Sequence, residues 1–218
     1  MESVDKIIVA RLAAVLALVT IAANPAMAHH PLNGLPMETF AHGILSGIGH
    51  PVLGFDHLFF ILAAGILAAV SGYALIAPMV LLAGVLCGVL LSLSGAGLPA
   101  LEPIIALSIV IVGVLGIKGK ALSLRSVGLL FVALGVFHGW AYGAAITRQE
   151  SVTTAVLCGY LIGLFVVQYA MAVIPGRLLA RGAGGLQASG LQPRIACAIA
   201  TGVGITFLLE HLESLVLA

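Results

Sequence analysis

From residue 52 onward the chain is a succession of apolar stretches, each close to the ~20 residues a helix needs to cross the hydrocarbon of a bilayer. They fall near residues 52–71, 73–94, 99–117, 125–146, 153–174 and 195–215. Charged residues are only 8% of the 218, and the mean hydropathy is +1.23. A soluble domain carries roughly 25% charged residues, so this chain has too few to cover a water-facing surface. In lipid only helices or closed barrels satisfy their own backbones. The stretches are long and do not alternate, which selects helices over barrel strands. The expected fold is all-α, a polytopic helical bundle of six transmembrane helices. A net charge of +1 gives no footprint for nucleic acid. Cys87, Cys158 and Cys197 lie within apolar stretches without a CxxC pair and read as small buried hydrophobes.

Residues 1–28 have the form of a cleavable signal peptide. Lys6 and Arg11 give a positive start, residues 12–23 an apolar core, and Ala26-Met27-Ala28 a small-x-small cleavage site before the polar His29-His30-Pro31. Residues 29–218 then form the membrane domain, its first residues outside. That orientation puts Lys118, Lys120, Arg125, Arg177, Arg181 and Arg194 in the cytoplasm and leaves Arg148, beside Glu150, outside. The positive-inside rule therefore agrees with the signal peptide. The expected location is a bacterial inner membrane with both mature termini periplasmic. Short Gly, Ser and Pro breaks divide the spans, and 176–194 is the one long loop. Twenty-seven glycines point to close helix packing through small residues, as at Gly84-Val85-Leu86-Cys87-Gly88.

This topology gathers the rare polar residues at one face. Glu38 and His42 precede the first span, and His50, Asp56 and His57 lie at its outer end. Glu102 opens the third span, His138 and Tyr142 lie toward the outer end of the fourth, and Glu210, His211 and Glu213 close the sixth. Ionisable groups at membrane depth are costly and face the bundle interior or a water-filled cavity. Imidazole with carboxylate suits a divalent transition-metal ion: Ni, Co, Zn, Cu or Fe.

The sharpest motif is His50-Pro51-Val52-Leu53-Gly54-Phe55-Asp56-His57. Pro51 suits the first turn of a helix, with His50 at its cap. On a regular helix His50 and His57 would then be about 10.5 Å apart along the axis, too far to share one ion. Either Gly49–Pro51 or Gly54 distorts the chain, or the two histidines serve successive sites. Asp56 diverges from His57 by about 100° on a helix and either binds beside it or orients an imidazole. In His138-Gly139-Trp140-Ala141-Tyr142-Gly143, His138 and Tyr142 share a face, and Trp140 suits an interfacial anchor. Glu102 before Pro103 is either a helix-start carboxylate or a ligand, and Glu210 and His211 are either ligands or the wet end of the last helix. His29, with the new amine, His30, and the pair Glu38 and His42, four apart, would make an outer loading site or a polar tail.

Gly49–Leu58, Leu101-Glu102-Pro103-Ile104-Ile105-Ala106-Leu107-Ser108 and Phe137–Gly143 together resemble the HupE/UreJ family. The resemblance covers essentially the whole mature chain. It implies a six-helix bacterial membrane protein, a secondary nickel or cobalt permease, with His50, Asp56 and His57 as its metal-binding signature and His138 facing them. It also implies hydrogenase or urease maturation proteins as partners. The fourth-span motif is a variant: many relatives have His-Gly-His-Ala-His-Gly where this chain has Trp140 and Tyr142, and methionine where Ile61 stands.

The expected function is import of Ni(II) or Co(II) from periplasm to cytoplasm, captured at His29, His30 and His42 and passed to His50, Asp56, His57 and His138. Neutral imidazole binds the ion, so uptake weakens as pH falls through the histidine range, near ~6.5. No Walker motif supports a nucleotide-driven pump. Ser92, Ser94 and Thr206 are scarcely an exit path. The alternatives are an intramembrane zinc or di-iron enzyme, and a metal-binding chaperone or sensor serving a maturation partner.

Overall fold

The computed structural model of the chain describes residues 37–95, 97–147, 152–180 and 186–217. Over these residues the protein is helical, with no strand: α1 (Phe40–Leu53), α2 (Phe55–Val70), α3 (Ile76–Ser92), α4 (Leu101–Ile117), α5 (Leu124–Thr147), α6 (Thr154–Ala180) and α7 (Leu191–Leu217). The expected signal peptide, His29 and His30 lie outside the described residues. By length and composition α5, α6 and α7 can each cross a membrane, and α1 with α2, bent by 78° at their junction, are long and apolar enough only when taken together. The apolar helices α3 and α4 are shorter, at 17 residues each.

The expected spans coincide with α2 to α7 within a few residues at most ends, and two boundaries differ. A helix not foreseen, α1, precedes the first span. It buries Gly43, Ser46, Gly47 and His50, one stripe at helical spacing, against α6. At the other boundary, α6 continues through Pro175 and Gly176 to Ala180, where a break was expected. Gly176 there is packed on Ala69 of α2, and this tertiary contact holds the last turn despite the missing proline N–H.

Helix α2 is the hub and touches each of the other six helices. Its buried residues face every direction, as expected of a helix apolar all round. The six others form three close pairs, α3 with α5, α1 with α6 and α4 with α7. Glycines set these pairs from both sides. A Cβ at Gly43 or Gly47 would run into the α6 carbonyls of Val156 or Tyr160, and one at Gly159 or Gly163 into those of Phe40 or Ile44 on α1. Gly84 and Gly88 meet Val132 and Val136 in the same way, and Gly135 and Gly139 answer against Leu81 and Val85. Lipid tails supply no hydrophobic drive between helices, so close van der Waals approach through small residues takes its place. Of the cysteines only Cys197 is buried, against Gly116; Cys87 and Cys158 are exposed on the apolar outside, contrary to expectation.

Candidate metal centre

The site is built where the α1–α2 element breaks. The expectation of Pro51 in a first turn and His50 at its cap is not met: both lie in the last turn of α1. Gly54 is the break. Its N–H closes α1 on the His50 carbonyl at 2.9 Å, its own carbonyl accepts from Leu58 N at 2.8 Å to open α2, and its extended backbone turns the chain. A Cβ there would lie 3.0 Å from the His50 carbonyl oxygen, 3.0 Å from His57 Cδ2 and 3.1 Å from Asp56 Oδ1. The elbow replaces two turns of straight rise with a 78° bend, and the His50 and His57 rings stand 5.4 Å apart. Of the alternatives open in the sequence, distortion at Gly54 is the one the chain adopts.

His138 of α5 extends the group. Nδ1 of His57 and Nδ1 of His138 are 3.0 Å apart, and the rings are 5.1 Å apart. All three imidazoles are buried. The surrounding hydrogen bonds fix which nitrogens carry protons. Ser108 Oγ donates to the Ile105 carbonyl at 2.6 Å, so toward His138 Nε2, 2.8 Å away, it can only accept. His138 therefore carries its proton on Nε2 and turns the Nδ1 lone pair to His57. Tyr160 OH likewise donates to the Tyr142 carbonyl at 3.2 Å and accepts from His50 Nδ1 at 3.0 Å. The lone pair of His50 then lies on Nε2.

Tyr142 closes one side of the group, its ring 4.5 Å from that of His57 and 5.0 Å from that of His50. Its hydroxyl is fully buried and, among the described residues, has no hydrogen-bond partner. Asp56 is within electrostatic reach of that hydroxyl. Asp56 Oδ1 accepts the backbone N–H of His57 at 2.8 Å, which places the carboxylate in the first turn of α2, where the helix dipole favours it. Phe60 stacks on His138 at 3.7 Å and forms the floor. The histidines make a chain, His50 to His57 to His138, and as the side chains stand no three His, Cys, Asp or Glu among the described residues form a ready-made metal cage.

The other expected residues stand apart. His42 is in the first turn of α1, where Thr39 Oγ1 accepts its N–H and its Nδ1 accepts from Glu38 N at 3.3 Å. Glu38 precedes the helix, so the two do not share a helical face. His42 is eight residues from His50 on α1, about 12 Å along the axis. Glu102 and His211 meet each other on the α4–α7 pair at 3.9 Å, with the Glu102 side chain 76% exposed, and Glu210 is exposed beside them. Three lining residues escaped the sequence reading: Ser108, Tyr160 and Phe60. Tyr160 and Ser108 each offer one signal, a hydroxyl within an apolar span.

A family model described as HupE / UreJ protein matches residues 16–207. Protein HupE of Rhizobium leguminosarum bv. viciae is 28% identical over 160 residues, which span 66% of this chain and 80% of the relative. No solved structure matches the chain. A helical membrane protein with imidazoles collected at the α1–α2 break, matched along nearly its whole length by this model, belongs to the HupE/UreJ family.

Proposed function

We propose that the protein is a secondary transporter that imports a divalent transition-metal ion, nickel or cobalt, across a bacterial inner membrane. The observation that carries this reading is the break at Gly54, which sets His50 and His57 beside His138 inside the bundle. Transporters often build their ion sites at discontinuous helices, because irregular backbone at membrane depth is tolerated only where protein buries it or it lines a cavity. Two ligands at right angles, each about 2.1 Å from an ion, are about 3.0 Å apart, and the His57 and His138 Nδ1 atoms have that separation. A modest turn of the His50 ring would add its Nε2, with Asp56 supplying charge and the Tyr142 hydroxyl a further oxygen. Zinc, copper and iron suit the same donors and are the competitors to test.

Members of the family are metal transport or accessory proteins, not enzymes, which sets aside the zinc or di-iron enzyme. The accessory reading keeps one observation in its favour. Beneath the histidines the core is apolar, from Phe60, Ile61 and Ala64 to Leu67 and Phe131. An accessory protein would hold the ion for hydrogenase or urease maturation partners and need no inner route. In the transport reading the six spans run with both mature termini in the periplasm, and the site opens to that side.

The test is metal flux into sealed proteoliposomes, with bound metal counted in the same samples, for wild type, His57→Ala and Asp56→Ala. Nickel, cobalt, zinc and copper are supplied separately. Flux lost in both variants identifies a transporter and its ion. Metal retained at fixed stoichiometry without flux, under every gradient, overturns transport and favours the accessory role.

A further inference from the structure

An ion leaving the imidazoles for the cytoplasmic side exchanges nitrogen ligands for hydrocarbon, a transfer that a bare divalent ion does not make. The buried hydroxyls give little help. Ser92, Ser108 and Thr201 donate to the carbonyls of Val89, Ile105 and Cys197 at 2.8, 2.6 and 2.8 Å. Ser92 moreover packs against Gly143, at the histidine end of the bundle rather than beneath it.

Gln168 of α6 is different. It is 2% exposed, and its Nε2 has no hydrogen-bond partner among the described residues. A carboxamide with an unmet donor is costly in a membrane interior, and such groups mark ion and substrate pathways. Its position is defined by register. Tyr160, Leu164, Gln168 and Ala172 form one buried stripe of α6 at four-residue spacing. At one end of the stripe Tyr160 bonds His50. At the other, Ala172 lies against Gly65 of α2, and Gly176, four residues on, against Ala69. The two helices therefore run in the same direction and keep step over this turn. The same step puts Gln168 level with Ile61, one turn or about 6 Å inward of His57. Small residues, Ala64, Gly65 and Ala172, line this seam.

We propose that Gln168 is an inner station for the transported divalent cation, which reaches it along the α2–α6 seam after leaving the imidazoles. The side-chain oxygen takes the partly hydrated ion, and the amide N–H groups hold acceptors of the water that travels with it. A half-turn of the carboxamide exchanges its oxygen and nitrogen, so the acceptor can face the seam. A neutral oxygen binds these ions more weakly than imidazole, which lets the ion move on instead of stopping. The station rests on the transport reading.

The experiment compares wild type, Gln168→Leu and Gln168→Glu for nickel flux in proteoliposomes, equilibrium nickel binding in detergent, and thermal unfolding. Gln168→Leu is expected to bind nickel within about twofold of wild type and to unfold no earlier, while its flux falls about tenfold or more. Gln168→Glu keeps an oxygen at the same place and recovers flux over the leucine variant. Flux in Gln168→Leu within about twofold of wild type overturns the station, as does a parallel loss of binding and flux, or a glutamate variant no better than leucine. A wild type that binds nickel and moves none overturns the transport reading itself, and the station with it.

Discussion

Nδ1 of His57 lies 3.0 Å from Nδ1 of His138, 81 positions later in the chain, and one proton serves the contact. An ion that takes both nitrogens must displace that proton. The neutral His57 ring then keeps that proton on Nε2, so no net proton leaves the neutral pair, and affinity falls with pH only as an imidazole takes up a second proton and the imidazolium competes with the ion. Once an imidazole of the pair is protonated, nickel affinity should weaken by roughly tenfold per pH unit for each imidazolium proton displaced. Calorimetric titrations in buffers of different ionisation enthalpy count the protons. An affinity that stays constant as pH falls to the point of acid unfolding would contradict ligation by these two imidazoles.

Ser108 fixes the tautomer of His138 through Nε2. Ser108→Ala should weaken nickel binding by about 10–100-fold, the usual effect of losing a hydrogen bond behind a metal ligand. Ser108→Thr, which keeps the hydroxyl, should recover most of it. Equal affinities for wild type and the alanine variant would remove Ser108 from the site.

The Tyr142 hydroxyl is buried without a partner among the described residues, so its removal has opposite effects in the two states. Tyr142→Phe should stabilise the metal-free protein by about 1 kcal/mol, since it deletes an unsatisfied polar atom. It should also reduce the stabilisation gained on adding nickel. Thermal unfolding with and without metal reads both signs. A variant less stable without metal, or equally stabilised by it, would show that the hydroxyl does not await a ligand.

Gly54→Ala adds a methyl group 3.0 Å from the His57 ring edge and 3.1 Å from Asp56 Oδ1. Neither neighbour is free to retreat far, since Asp56 Oδ1 accepts the His57 N–H and His57 contacts His138. The expected result is a loss of about 1–3 kcal/mol in stability together with weaker nickel binding. Retention of both would mean that the elbow tolerates a side chain and that another feature makes the bend.

The membrane class and the helices α2 to α7 were legible because they rest on one-dimensional properties, the length of apolar stretches and the rarity of charge. The convergence of His57 and His138 was legible for a related reason: topology alone assigns both to the same end of the bundle. The approach of His50 was legible only as one of the open alternatives. Period and spacing placed it two turns from His57 on one helix, and only the break at Gly54 reverses that. Glu102 and His211 looked like members of the same group, yet they belong to the α4–α7 pair and meet each other at the exposed surface. Ser108, Tyr160 and Gln168 were missed because a single polar residue in an apolar stretch gives no sign of the helix face it occupies.

The sequence by itself determined that this chain lives in lipid as a helical bundle, that its glycines would draw helices together, and that imidazole chemistry would gather at one face. These follow from transfer energies and chain length, which are sums over residues. Tertiary structure decided which imidazoles share a site, which nitrogens carry their protons, and which buried polar atoms remain unmet. Those outcomes depend on distances of a few ångströms between helices far apart in the chain. Here glycine contacts and the bend at Gly54 fix those distances, and neither the partner of a glycine nor the direction of a bend is written in local residue pattern.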